Sequence, residues 1–118
     1  FGRIYDLFPE TEREQIRKLL AYNLRAIVYQ KLLPTLHEET PRIPAIEVLL
    51  NTPIVTKYIL EAREGELLDV IKKSHEEGMI DLTTALVRLV ESEWVTMKVA
   101  LDATPKPEEL KMRIKGIN

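Results

Sequence analysis

The chain has 118 residues, 45% of them hydrophobic and 31% charged, the profile of one soluble globular domain. Seventeen basic and 19 acidic side chains leave a net charge of −2, which gives no electrostatic basis for binding nucleic acid or an anionic membrane. Cysteine is absent, which excludes disulfides and thiolate metal sites, and no run approaches the roughly 20 apolar residues of a membrane span.

No signal peptide is visible. Phe at position 1 in place of Met points to trimming at the N-terminus. Phe1 to Phe8 reads as the tail of a helix, with Ile4, Leu7 and Phe8 on one face. Pro9 ends it, because proline disfavours a helical residue before it. The stretch Phe8 to Pro34 then opens a long amphipathic helix over about 10–30. Its apolar residues Ile16, Leu19, Leu20, Leu24, Ile27 and Val28 fall at helical spacing. Pro9 suits the first turn, and Glu10, Glu12 and Glu14 oppose the positive end of the dipole.

A short β-hairpin is predicted over about 31–50. Its strands are Lys31–His37 and Arg42–Leu50, and Glu38-Glu39-Thr40-Pro41 makes the turn. Pro34 and Pro44 place it at a sheet edge or at strand starts. A short buried helix over 45–51 is the competing reading.

Four to five short helices follow. Thr52 is the expected N-cap of the first, with Pro53 at its first helical position. Ile54, Val55, Tyr58, Ile59 and Ala62 form its apolar stripe. The second runs from about Gly65 to Glu77, and Gly78 is its left-handed stop. Asp81 caps a third carrying Leu82, Ala85, Leu86, Leu89 and Val90. Thr96 caps a fourth, and Pro107 starts the last, which Gly116 ends. The fold class is therefore mainly α, with one compact unit built from a long helix, a hairpin and a helical bundle.

No constellation of catalytic residues stands out. His37 and His75 are far apart and neither has a partner at metal-ligand spacing. The carboxylates mostly pair with lysine or arginine along helix faces, as on a solvated surface, rather than as a general acid/base pair. Ser74 and Ser92 lack a nucleophile elbow. Gly2, Gly65, Gly78 and Gly116 stand singly, so they build no phosphate loop. Residues 66–93 have the form of a helix-turn-helix, but Arg88 alone would read bases, and DNA binding needs several such cations. Trp94 in an inter-helix loop reads as a packing residue.

A series of motifs points to a family. Arg3-Ile4-Tyr5-Asp6-Leu7-Phe8-Pro9 resembles the R-I-x-D-x-F-P segment that follows the histidine box of secretion-type ATPases. Glu14-Gln15-Ile16-Arg17 through Leu32-Leu33-Pro34 resembles the next helix and strand of the type IV pilus retraction ATPases, the PilT/PilU twitching-motility family. Ala45-Ile46-Glu47-Val48-Leu49-Leu50-Asn51-Thr52-Pro53 is similar to that family's A-x-E-[IV]-L-x-N-T-P. Glu77-Gly78-Met79 with Thr84-Ala85-Leu86, and Pro107-Glu108-Glu109-Leu110, resemble two later motifs in the same order.

The resemblance implies a C-terminal fragment of a hexameric RecA-like P-loop ATPase, cytoplasmic and peripheral to the inner membrane. Residues 1–50 would end the motor core and 51–118 would form the helical C-terminal region. The segments that bind ATP and Mg would lie upstream of Phe1, so no catalytic or cofactor-binding residue is carried over. Partners would be other subunits of the ring and the inner-membrane platform protein of the pilus machine, with no nucleic acid. One functional segment would fall inside. The family's A-I-R-N-L-I-R-E motif corresponds to Ile54, Val55, Thr56, Lys57, Tyr58, Ile59, Leu60 and Glu61, with both arginines replaced, by Thr56 and Leu60. That departure fits a PilU-like or divergent retraction motor better than strict PilT-type action. The same residues also read simply as a capped amphipathic helix. A pilus-extension or type II secretion ATPase and a free-standing helical interaction module are the alternatives. Cut from its parent, the fragment is expected to leave ATP unbound and to dimerise or swap elements through bare strand edges.

Overall fold

The structure is a computed structural model that describes residues 1–116. Helix α1 (Gly2–Tyr5) leads through a 3-10 turn at Glu10–Glu12 into α2 (Arg13–Asn23). Strands β1 (Ala26–Pro34) and β2 (Arg42–Leu50) form the hairpin. Five helices follow: α3 (Pro53–Leu60), α4 (Leu67–Lys73), α5 (Leu82–Glu91), α6 (Met97–Ala103) and α7 (Pro107–Ile114). Short 3-10 turns at Glu64–Glu66 and His75–Glu77 flank α4.

The boundary between α2 and β1 differs from the sequence expectation. The helix stops at Asn23 instead of near residue 30, and the first strand begins at Ala26 instead of Lys31. Leu24 is already extended, with ψ of 136°. Ile27 and Val28 fit helical spacing, but Ala26-Ile27-Val28-Tyr29 is a β-branched and aromatic run that fits a strand equally well. Pairing with β2 decides between them. The helical alternative for 45–51 falls for the same reason, since that segment lies within β2. Beyond β1, β2 also meets Ile80: Val48 N donates to Ile80 O at 2.8 Å and Ile80 N to Val48 O at 3.3 Å.

The chain divides into two compact units. The first comprises Phe1–Ile27 and Leu49–Met79. Its core is Ala21, Leu49, Val55, Ile59, Leu67, Ile71 and Met79, against which Leu24, Ile27 and Tyr58 pack. The apolar stripe of α2 is shifted from its expected place. Leu19 is 51% exposed while Ala21 is fully buried. A small side chain there lets the helix approach its neighbour closely. Leu7, between α1 and α2, is exposed as well.

The second unit comprises Val28–Val48 and the described residues from Ile80 onward. Leu33 and Ala45 from the hairpin and Leu86, Val87, Val95, Ala100, Ala103 and Leu110 from the helices build its core. Asp81, 1% exposed, caps α5. Its carboxylate accepts Thr84 N at 3.1 Å and the Thr84 hydroxyl at 2.7 Å. Arg113 lies 3.6 Å from the same carboxylate. Thr96 Oγ1 accepts Val99 N and caps α6. The far end of α6 receives Lys31 Nζ, which donates to Ala103 O at 3.2 Å, a cation where the dipole favours one.

Candidate functional site

Helix α3 carries the residues that the sequence singles out. Val55 and Ile59 are fully buried in the first core. Ile54, Lys57 and Glu61 lie on the opposite, exposed side. Thr56, Tyr58 and Leu60 are half-buried between them. Two residues expected to face inward do not. Ile54 is 41% exposed, and Ala62 lies beyond the helix end in a left-handed conformation. The helix ends at Leu60, so it buries a shorter stripe than the spacing of Ile54 to Ala62 suggests.

The start of α3 is held differently from the simple N-cap expected. Thr52 occupies the N-cap position and Pro53 the first turn, but the Thr52 hydroxyl makes no cap bond and is buried without a hydrogen-bond partner. The neighbouring Asn51 organises the junction instead. Its Nδ2 donates to Ala21 O at 3.0 Å and to Leu24 O at 2.7 Å. Its backbone N donates to Arg25 O at 3.0 Å. Its Oδ1 accepts the Thr56 hydroxyl at 2.8 Å. One amide thus satisfies two carbonyls at the open end of α2, groups that a helix leaves without intrahelical partners.

The far end of α3 is held by a charged cluster. Arg17 of α2 donates through Nη1 to Ile59 O at 3.1 Å and to the Glu64 carboxylate. Arg17 and Glu64 are only 15% and 19% exposed at the side chain, so the pair is partly desolvated and removing either partner leaves the other charge uncompensated. The Tyr5 hydroxyl donates to the same Glu64 oxygen at 2.8 Å, and the Arg17 guanidinium lies 4.7 Å from the Tyr5 ring centroid. Burial, reinforced by the adjoining Glu64 carboxylate, pushes the Tyr5 phenol up to about 12. Arg63, just past the helix, grips Glu66 with two nitrogens at 2.6 and 2.9 Å and stacks 4.1 Å from the Tyr58 ring centroid. That bidentate bond holds the Glu66 carboxyl below the usual carboxylate range and the guanidinium above its own.

Between α3 and α4 lies an open concavity of about 340 Å³, with Ile54, Tyr58 and Val70 as its apolar wall and Glu66, Asp69 and Lys73 as its polar one. The two histidines are elsewhere. His37 Nε2 lies 3.0 Å from Glu93 O, and its ring is 4.5 Å from that of Trp94. His75 sits in the 3-10 turn after α4. Gly78, at φ of 101°, closes that turn in the left-handed region. No group of three metal-ligating side chains is present among the described residues, and no described helix is long and apolar enough to cross a membrane. The residues that sequence reading missed are Asn51, Arg17 and Glu64. All three act through partners distant in sequence.

No protein-family model matches the chain. The type IV pilus ATPase PilU of Pseudomonas aeruginosa (strain PAO1) is 36% identical over 113 residues, covering 96% of this chain and 29% of PilU. Among solved structures, that of the pilus retraction motor PilT with bound ADP superposes with a TM-score of 0.79 at 27% identity, over 93% of this chain and 30% of that one. The Legionella pneumophila ATPase DotB shares the fold, with a TM-score of 0.64 at 21% identity over 98% of this chain and 28% of DotB. The chain thus spans less than a third of the length of the curated relatives it matches. The helix, the hairpin and the short helices in this order match the C-terminal domains of PilT and DotB. The chain belongs with the PilT/PilU family of type IV pilus ATPases, which are its homologues along nearly its whole length.

Proposed function

We propose that this chain is the C-terminal region of a type IV pilus retraction ATPase, whose hydrolysis of ATP drives pilus disassembly and twitching motility. The observation that carries this reading is the combination of 36% identity to PilU across 96% of the chain with a 0.79 TM-score to the retraction motor PilT. The nucleotide-binding segments, with their Mg, belong to the part of the parent that precedes Phe1. Residues 1–50 continue the motor core and 51–118 form the helical C-terminal region. The role of this region is mechanical. Its partners are neighbouring subunits of a homo-hexameric ring and the inner-membrane platform of the pilus machine, on the cytoplasmic side. The exposed face Ile54–Lys57–Glu61 of α3 is the surface we assign to that contact.

A second reading, an extension or secretion motor, is supported by one feature. The fold is shared with DotB. Deleting the parent gene in a piliated host separates the two. A retraction motor predicts surface pili that accumulate while twitching stops. Loss of the pili themselves would assign the chain to extension, and normal pili with normal twitching would remove it from the pilus machine.

A further inference from the structure

Helix α3 is held at both ends by α2, and by different chemistry at each. At its start, Asn51 joins Ala21 O and Leu24 O to the Thr56 hydroxyl, with all three distances at or below 3.0 Å. At its finish, Arg17 bridges Ile59 O and the Glu64 carboxylate, and Tyr5 secures that carboxylate from α1. Between these two points the fully buried Ala21, Val55 and Ile59 belong to one apolar cluster. Two anchors fix both position and rotation; one would leave the helix free to pivot. Both anchors use partly buried polar groups, whose bonds are costly to leave unmade. A helix of eight residues has little stability of its own, so its placement depends on such tertiary anchors.

We propose that Arg17 and Asn51 are positioning residues that lock α3 onto α2, so that a displacement of α2 is delivered to the exposed face Ile54–Lys57–Glu61. Thr56 takes part in the lock. Through its bond to Asn51 it serves as an internal strut. The mechanical consequence rests on the motor reading above, whereas the lock itself does not.

The test uses the full-length parent with Arg17→Met, Arg17→Lys, Asn51→Ala and Thr56→Val, read by hydrogen exchange and by motility. Losing one buried partner is expected to lower the protection of α3 amides by about tenfold in Arg17→Met and Asn51→Ala. Thr56→Val, which keeps shape and removes only a hydroxyl, is expected to lower it by about threefold. Arg17→Lys restores one of the two bonds and part of the protection. ATP turnover stays within about twofold of wild type, because no nucleotide contact is altered, while pilus retraction falls about tenfold. Unchanged α3 exchange in both Arg17→Met and Asn51→Ala overturns the lock. A rise in exchange spread evenly over the chain, with Thr56→Val silent, overturns it too. Retraction that persists while α3 exchange rises removes the mechanical role and leaves the lock standing. Should the wild-type parent neither hydrolyse ATP nor move pili, the motor reading fails, and the exchange measurements still decide the lock.

Discussion

At the residue scale, the polar groups that matter most are satisfied across long sequence distances. Arg17 reaches Ile59 over 42 positions and Glu64 over 47, and Tyr5 reaches Glu64 over 59. No local pattern signals such pairings, so Arg17 reads in the sequence as one more helix-surface cation. Asp81 is the contrast. Its partner Thr84 is three residues away, and the cap is legible as Asp before an apolar helix. Tyr5 yields a direct prediction. Its phenol is raised from 10 to about 12 by burial and by the Glu64 carboxylate, with Arg17 opposing. The neutral form is the one the fold favours. Its contribution to stability is therefore fully present below about pH 10 and is lost as pH rises through about 12. In a spectrophotometric titration, Tyr5→Phe is expected to remove a phenol ionisation near pH 12. A titration in which Tyr5→Phe removes an ordinary, early step would contradict the cluster as described.

Helix ends show at the element scale which signals a sequence carries and which it hides. Helices α3 and α5 finish in the same way. Ala62 N donates to Ile59 O and Arg63 N to Tyr58 O after α3. Glu93 N donates to Val90 O and Trp94 N to Leu89 O after α5. This is the Schellman arrangement, and its left-handed residue is ordinarily glycine. Here it is Ala62 at φ 58° and Glu93 at φ 59°. Gly78 and Gly116 are readable as stops because they are glycines, whereas Ala62 looks like one more residue of the α3 stripe. The apolar spacing in the sequence therefore runs past the end of the helix. The start of β1 was hidden by a related ambiguity, since a β-branched run satisfies either period until its partner strand is known. Ala62→Gly relieves the left-handed penalty on a Cβ and is expected to stabilise the protein by about 0.5–1 kcal/mol after the entropic cost of glycine. Urea unfolding measures this, and Ala62→Val is expected to shift the midpoint the other way. A midpoint lowered by glycine would mean that the left-handed turn is absent in solution.

For the whole molecule, the question is what covers the surface that this chain leaves open. Among the described residues β1 is hydrogen-bonded to β2 alone, so its outer edge presents unpaired backbone groups. Val28 and Leu32 lie four residues apart on β1, on one face of the strand, and are 61% and 56% exposed. On α2, Leu19 and Tyr22 are 51% and 70% exposed, three residues apart on a helix surface. An open edge beside exposed branched side chains is a template for pairing with another chain. The chain by itself is therefore expected to self-associate in a concentration-dependent manner, which sedimentation or light scattering resolves. Val28→Lys together with Leu32→Lys places two charges along the edge strand and is expected to return the monomer, since lysine on an edge blocks strand addition at little cost to the fold. Leu19→Lys, on the helix, distinguishes the surfaces: if it alone restores the monomer, association runs through α2 and the strand edge is idle. A wild-type chain that stays monomeric at high concentration would show that neither surface suffices to hold a second copy.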